Sequence, residues 1–121
     1  MQKIKRFTDL IAWQEGHRLV LLIYKLTDNF PNKEIFSLTD QIRRAAVSIT
    51  SNIAEGFSRK TKKEKIQFYY TALGSLSELQ NQLLIARDLK YLPVDSFNDI
   101  AKITVHISKL INGLIKSLKI A

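Results

Sequence analysis

The sequence contains no cysteine, and only four glycines and two prolines occur among its 121 residues. Without cysteine the chain can form neither disulfides nor thiolate metal sites, and we expect it in the reducing cytoplasm. A loop-rich β-sandwich needs more glycine and proline than this, and the few present separate long uninterrupted stretches. The composition therefore favours helices.

Long apolar runs are also absent. The longest, residues 19–24, spans six residues, whereas a helix that crosses a bilayer needs roughly 20. The basic N-terminus is followed by neither a continuous apolar segment nor a small-residue cleavage site, so we expect no signal peptide and no membrane association. Apolar residues make up 45% of the chain, as in a folded globular protein. We expect a single domain over residues 1–121.

Negative charge is in short supply. The chain has 11 acidic residues against 19 Lys and Arg, which gives a formal net charge of +8. Such an excess bears on the partners of a protein rather than on its fold. Nucleic acid and acidic surfaces are the candidate partners, and the alternative is a soluble protein that happens to be basic.

Apolar periodicity and capping residues predict four helices, at about residues 9–29, 38–56, 62–89 and 96–119. Thr8 or Asp9 is the expected cap of the first helix, which Phe30-Pro31 ends because proline cannot continue a helix. Ser37 or Thr39 opens the second helix.

The later helix ends carry their own signals. Gly56 suits the left-handed residue past the end of the second helix. The run Thr61-Lys62-Lys63-Glu64 has the capping-box pattern for the start of the third. Asp95 is the expected N-cap of the fourth.

On each helix, apolar residues at steps of three and four predict the side that faces the core. In the first helix these are Leu10, Trp13, His17, Val20, Tyr24 and Thr27. In the second they are Ile42, Ala45, Ala46, Ile49 and Ile53. In the third they are Tyr69, Leu73, Leu76, Leu83 and Ala86. In the fourth they are Phe97, Ile100, Thr104, Ile107, Ile111, Leu114 and Leu118.

Short connections between long consecutive helices force neighbours to run antiparallel, which predicts an all-α, up-down-up-down four-helix bundle. The first helix also carries apolar residues outside its stripe: Leu19, Leu21, Leu22, Ile23 and Leu26. Ile103 and Leu110 widen the apolar face of the fourth helix. A helix that is apolar on most sides must be covered on most sides. We therefore expect an oligomer.

Groups that could carry catalysis are scarce. The two histidines, His17 and His106, lack the Glu three residues earlier that di-metal bundles use. Neither follows an Arg at the spacing found in small helical nucleases. The chain has no glycine-rich phosphate loop and no recognisable nucleophile–base pair. We predict no catalytic residue, no metal and no cofactor.

The densest basic cluster lies in the turn between the second and third helices, at Arg59, Lys60, Lys62, Lys63 and Lys65. The amides at a helix N-terminus there favour phosphate. A second basic series follows the fourth helix, at Lys102, Lys109, Lys116 and Lys119. A third group lies near the N-terminus, at Lys3, Lys5 and Arg6. Antiparallel topology would bring the turn, the N-terminus and the end of the fourth helix to one end of the bundle, as a footprint for a polyphosphate.

Phe57 and Phe68 are the only aromatic residues that accompany the basic turn, so the pattern favours backbone binding over base stacking. We predict nucleic-acid contacts at Arg59, Lys60, Lys62, Lys63, Lys65, Lys109, Lys116 and Lys119. The alternative is that these charges serve solubility, with the last lysines complementing the helix dipole.

A polar stripe lies beside the apolar face of the second helix, at Gln41, Arg44, Ser48, Asn52 and Glu55. Together with Arg43 and Glu78 it places opposite charges near an apolar core. Buried polar groups can serve structural specificity. We interpret these residues as a network that sets helix register or subunit contacts, in preference to a binding site.

Several runs make the sequence recognisable: Ala12-Trp13-Gln14, Phe30-Pro31 with Glu34, residues 36–49, and Ser51-Asn52-Ile53-Ala54-Glu55-Gly56. They resemble the bacterial four-helix bundle family named for proteins encoded within intervening sequences of 23S ribosomal RNA genes, also labelled S23 ribosomal protein. The resemblance spans residues 12 to about 92. A proline usual before the Ser-Asn pair is Thr50 here.

The resemblance implies a homopentameric ring of antiparallel bundles. The sequence is also similar to the accessory proteins of diversity-generating retroelements, which are basic pentamers that bind a reverse transcriptase and nucleic acid. Our leading hypothesis is a non-enzymatic oligomeric scaffold that binds RNA or DNA through phosphates. The competing hypothesis is a protein–protein adaptor, such as a reverse-transcriptase accessory ring, without direct nucleic-acid binding.

Overall fold

The computed structural model describes residues 3–120. Four long helices fill most of this range: α1 (Ile11–Thr27), α2 (Leu38–Ser58), α3 (Lys62–Asp88) and α4 (Val94–Ile120). A 3-10 turn, Phe7–Asp9, precedes α1, and a second, Asn32–Glu34, lies between α1 and α2. Residues 3–120 contain no β-strand. The all-α prediction is confirmed.

The helices close into a bundle because each packs against its neighbour in sequence and α1 also packs against α4. Pairs across the helices show the antiparallel direction. Arg43 of α2 contacts Thr27 of α1, and Ser48 of α2 contacts Ser75 of α3. Gln80 of α3 contacts Thr104 of α4. The start of α2 thus lies against the end of α1, and the middle of α2 lies against the middle of α3. Short connections between long helices require this antiparallel arrangement.

The core runs along the bundle axis between the four helices. Its fully buried large side chains are Leu19, Ile23, Ile42, Ile49, Ile53, Leu76, Leu79, Ile100, Ile107 and Ile111. All five predicted core residues of α2 are buried. In α3, Leu73 is half-buried, while Ala72, Leu79 and Gln82 are buried beyond the predicted set. In α4, Ile115 is buried, whereas Phe97, Leu114 and Leu118 are half-buried.

The predicted core stripe of α1 is only partly right. Leu10 and Thr27 are buried as predicted, and Trp13 and Val20 are half-buried against the core. His17 and Tyr24 are exposed, and Leu19 and Ile23 are buried instead. Gly16 also lies on the buried face, where an added Cβ would lie 2.9 Å from Cγ2 of Thr50, so α1 comes close to α2 at this glycine.

Helix starts differ from the prediction at two places. Asp9 caps the 3-10 turn rather than α1, since its carboxylate accepts the backbone N–H groups of Lys5 and Arg6 at 3.0 Å each. The N-cap of α1 is Leu10, without a side-chain cap. Helix α4 begins at Val94, which places Asp95 inside its first turn and not at its N-cap.

Of the two predictions made for the α2–α3 turn, one is wrong and one is confirmed. Gly56 does not follow the end of α2, because the helix continues to Ser58 and Gly56 is a buried residue within it. The predicted N-cap of α3, Thr61, is confirmed. The hydroxyl of Thr61 accepts the backbone N–H of Glu64 at 3.1 Å and lies 3.1 Å from its carboxylate.

Candidate nucleic-acid interface

Three basic groups meet at one end of the bundle, which we call the basic end and define by Lys5, Arg6, residues 59–65, Lys116 and Lys119. The 3-10 turn that follows Lys5 and Arg6 packs against α2. The ammonium of Lys119 donates a 2.9 Å hydrogen bond to the hydroxyl of Tyr70, in the third turn of α3. The N-terminal 3-10 turn and the last turn of α4 therefore lie beside the α2–α3 turn.

Arg59 and Lys65 hold the α2–α3 turn together. The guanidinium of Arg59 pairs with Glu55 at 3.2 Å and lies 4.6 Å from the ring centroid of Phe68. The ammonium of Lys65 donates to the carbonyl of Phe57, near the end of α2, and lies 5.2 Å from the Phe57 ring. Their charges are thus partly engaged within the turn.

In the cluster, Arg59 is exposed and Lys65 is half-buried, and the remaining three members, Lys60, Lys62 and Lys63, are exposed as well. They flank Thr61, the N-cap of α3, so their positive charges stand beside the first backbone amides of that helix. A helix N-terminus attracts anions through these amides and through the helix dipole. This segment therefore offers the strongest phosphate-binding chemistry at the basic end.

Lys109 does not belong to the basic end. It precedes Lys119 by ten residues of one helix, which corresponds to about 15 Å along the axis. It lines a groove of about 340 Å³ on the outer side of α4, with Val105 and His106. The prediction that grouped it with the turn lysines joined two separate surfaces.

The predicted polar network of α2 is divided into separate contacts. Ser48 and Ser75 share a 2.8 Å hydrogen bond across α2 and α3, and the amide of Asn52 donates to the Ser48 carbonyl at 2.8 Å. Gln82 donates to Glu78 at 3.1 Å, while Gln41 is exposed. These residues lie along the α2–α3 seam.

The arginines of the predicted network lie elsewhere. Arg43 faces α1, where it donates to Thr27 at 2.8 Å and to Asp28 at 3.1 Å. Arg44 points outward and pairs with Asp40 at 2.9 Å. Successive helix residues point about 100° apart, so two adjacent arginines serve different surfaces. Within residues 3–120, neither forms an ion pair with Glu55 or Glu78.

Sequence reasoning missed the cation–aromatic pairs of the basic end. Phe57, Phe68 and Tyr70 each have a positive side chain within 5.4 Å of the ring centroid. Phe57 and Lys65 are eight positions apart and lie on either side of the short α2–α3 turn, so their closeness in sequence gives a local signal for this pair. The Tyr70–Lys119 pair joins residues 49 positions apart, and no local signal indicates it.

Titratable groups with shifted pKa values lie outside the lysine cluster. Backbone hydrogen bonds from Lys5 and Arg6 lower the pKa of Asp9. The hydrogen bond to Glu34 raises the pKa of Tyr91, and burial raises that of Tyr69. His17 stacks on Trp13 with ring centroids 4.8 Å apart. None of these groups faces a second titratable partner in a cleft of the kind that acid–base catalysis needs.

Across 3–120, His, Asp and Glu side chains do not gather in threes at a geometry that could hold a metal ion. Within that part of the chain, no helix is long and apolar enough to span a membrane.

Comparisons with known proteins agree on the fold. The model of the 23S rRNA-intervening sequence protein family matches residues 8–113. A crystal structure of a protein with unknown function from the S23 ribosomal protein family of Bacteroides thetaiotaomicron superposes with a TM-score of 0.82. That protein is 23% identical, and the match covers 90% of this chain and 98% of the other. No curated protein sequence matches the chain.

Proposed function

The chain belongs to the 23S rRNA-intervening sequence protein family, and we propose that it is a non-enzymatic oligomeric scaffold that binds nucleic-acid backbone through its basic end. The observation that carries this proposal is the placement of Lys60, Lys62 and Lys63 around the N-terminus of α3. Phosphate binding needs this combination of exposed positive charge and backbone amides.

The electrostatics of the whole chain support the same proposal. A formal charge of +8 on 121 residues attracts polyanions at long range. Lys116 and Lys119 add charge from α4, and Lys5 and Arg6 add it from the N-terminal turn, at the same end of the bundle. Backbone binding does not depend on sequence, and its affinity falls steeply with salt because condensed counterions are released.

Exposed apolar side chains support the oligomer. Tyr24 and Val47 are 43% and 38% exposed and line one groove between α1 and α2. Leu84 and Val105 are 41% and 48% exposed and line another groove between α3 and α4. The α1–α2 groove is also lined by Asp40, Arg43 and Arg44, whereas the α3–α4 groove is mainly apolar. Since α1–α2 and α3–α4 form opposite faces of the bundle, the two grooves face in opposite directions.

Two unlike surfaces on opposite faces, each with exposed apolar side chains, favour head-to-tail contacts, which close into a ring when the rotation allows it. The pentamer implied by the family resemblance is such a ring. In a ring with cyclic symmetry, every copy presents its basic end on the same side. The positive charge of several copies would then combine on one rim, which suits a long polyanion better than one bundle does.

Part of the surplus surface predicted for the oligomer is used inside the bundle. Ile103 and Leu110 of α4 are half-buried and pack against the core. The exposed apolar surface of α4 is centred on Val105, and Leu84 of α3 contributes to the same groove. The proposed interface therefore uses α3 together with α4, and not α4 alone.

Charge reversal of the turn tests the proposal. The double variant Lys60→Glu/Lys63→Glu should lose most of its affinity for structured RNA, and the slope of log affinity against log salt should become shallower by about 2. The matched control is Lys33→Glu/Lys90→Glu, which reverses two exposed lysines at the opposite end. Fluorescence anisotropy over a salt series gives both quantities.

Three outcomes separate the hypotheses. Loss of binding in the turn variant alone supports the basic end as the interface. Equal loss in both variants would show that only net charge matters and would overturn the site. Absence of RNA and DNA binding by the unmodified protein at low salt would favour the protein–protein adaptor, such as a reverse-transcriptase accessory ring.

A further inference from the structure

A groove of about 220 Å³ begins directly after the exposed lysines, on one side of α3. It is lined by Glu64, Gln67, Phe68 and Thr71. These residues follow the helical spacing of three and four, so they form one continuous strip. Sites that enclose a drug-sized molecule start at about 300 Å³, and this smaller groove suits one flat ring.

The aromatic wall of the groove is Phe68. Its ring is half-buried, and the guanidinium of Arg59 lies 4.6 Å from the ring centroid. A cation therefore lies over the ring of Phe68, and the same side chain lines the groove. Nucleobases stack on aromatic rings and on arginine guanidinium planes in proteins that bind single strands.

Polar groups along the groove are only partly used. The hydroxyl of Thr71 donates to the carbonyl of Gln67 at 3.1 Å, and one carboxylate oxygen of Glu64 accepts from Thr61 at 3.1 Å. Among the hydrogen bonds of residues 3–120, none engages the second oxygen of Glu64 or the side-chain amide of Gln67. Both groups can therefore meet the edge of a bound base.

We propose that this groove receives an unpaired base of a single-stranded RNA or DNA. The base would stack on Phe68, and its exocyclic amino group would donate a hydrogen bond to the carboxylate of Glu64. The inference rests on the proposed function, since the lysines beside the groove would hold the neighbouring phosphates. A carboxylate accepts from the amino group of cytosine. Uracil presents a carbonyl oxygen at that position, which would face Glu64 with repulsion.

The chain offers close variants and a matched control. Phe68→Leu removes the aromatic ring and keeps the bulk, whereas Phe68→Tyr keeps the ring. Glu64→Gln keeps a side-chain oxygen that can accept the hydrogen bond from the Thr61 hydroxyl. Phe36→Leu is the control, because Phe36 is 92% exposed in the α1–α2 connection at the opposite end of the bundle.

The experiment measures the affinity of oligocytidylate and oligouridylate of equal length by anisotropy. The unmodified protein should prefer oligocytidylate. Phe68→Leu should weaken the binding of both oligonucleotides by about tenfold, since stacking is worth about 1–3 kcal/mol per base. The slope of log affinity against log salt should not change. Phe68→Tyr and Phe36→Leu should bind like the unmodified protein. Glu64→Gln should bind both strands with similar affinity, so that the preference disappears.

The two levels of the hypothesis fail differently. If Phe68→Leu binds as tightly as the unmodified protein while binding remains salt-dependent, the base site is wrong and the backbone interface stands. If oligouridylate binds as well as oligocytidylate, the role of Glu64 is wrong. If neither strand binds the unmodified protein at low salt, both the base site and the proposed function are wrong.

Discussion

The hydroxyl of Tyr91 donates a 2.8 Å hydrogen bond to the carboxylate of Glu34 and so joins the α3–α4 turn to the connection between α1 and α2. The second oxygen of Glu34 lies 3.5 Å from the amide nitrogen of Leu38, the first residue of α2. One side chain thus links two connections that are 57 positions apart in sequence. Phe30 packs beside this link, 5.6 Å from Tyr91 between ring centroids.

Because Glu34 raises the pKa of Tyr91 above its ordinary value of 10.0, the contact stabilises the fold while Tyr91 is neutral. This stabilisation is complete below pH 10 and is lost as the pH rises through the higher pKa of the folded state. We expect Tyr91→Phe to unfold at lower temperature than the unmodified protein at neutral pH, with the difference shrinking in alkaline solution. Thermal melts between pH 7 and pH 12 measure this.

Tyr24→Phe is the control for this experiment, since Tyr24 is exposed. Burial also raises the pKa of Tyr69, so an alkaline loss of stability should remain in Tyr91→Phe. A difference between Tyr91→Phe and the unmodified protein that stays constant with pH would contradict the linkage.

The closest approach of α2 and α3 gives a second prediction. A Cβ at Gly56 would lie 2.7 Å from Cε1 of Tyr69 and 3.0 Å from Cβ of Phe68. Gly56→Ala should therefore force the helices apart and lower the free energy of unfolding by about 1–3 kcal/mol. Urea titration followed by circular dichroism measures the change.

Gly74→Ala is the matched substitution on α3. An added Cβ there meets no neighbouring atom within 4 Å. It should raise the free energy of unfolding by up to about 1 kcal/mol, because alanine favours the helix more than glycine does. If both variants changed stability in the same direction, close packing at Gly56 would not explain its effect.

The capping box of α3 gives a third prediction. The hydroxyl of Thr61 accepts the N–H of Glu64, and removing it leaves a helix-end donor without its partner. Thr61→Ala should lower the free energy of unfolding by about 1 kcal/mol, whereas Thr61→Ser should change it little. Equal stability of the two variants in urea titration would contradict the capping role.

The proposed ring gives a fourth prediction. Val105→Glu places a charge in the apolar groove between α3 and α4 and should reduce the assembly to a single chain at low protein concentration. Ile35→Glu is the control, since Ile35 is 50% exposed but lies in the α1–α2 connection outside both grooves. Light scattering gives the mass. A single-chain mass for the unmodified protein would refute the ring.

Much of the fold follows from local patterns. The 3.6-residue period of apolar side chains is enough to predict four helices, and Thr61 with Glu64 marks the start of α3 correctly. The core faces of α2 and α4 are also readable, because each has one well-defined apolar stripe. In α1 the large residues are spread around the helix, and the register depends on how close Gly16 comes to Thr50.

The candidate site was likewise predicted only in part from the sequence. The lysine cluster is visible in the sequence as a run of charges, and short turns predict which helix ends meet. The sequence did not predict the partners of Arg43, Arg44 and Glu55, because a stripe places residues on one side of a helix but not opposite a particular residue of another helix. The sequence likewise does not show which charged side chains are paired inside the turn and which face outward, because this depends on side-chain contacts.

The sequence by itself determined that this protein is a basic, cysteine-free, all-helical chain with its lysines concentrated near one turn, since composition and helical period are local properties. Only the tertiary structure decided that Arg59 stacks on Phe68, that Lys119 reaches Tyr70 and that Lys109 lies on a different surface. These relationships depend on the distances between helices, which are set by packing at residues such as Gly16 and Gly56.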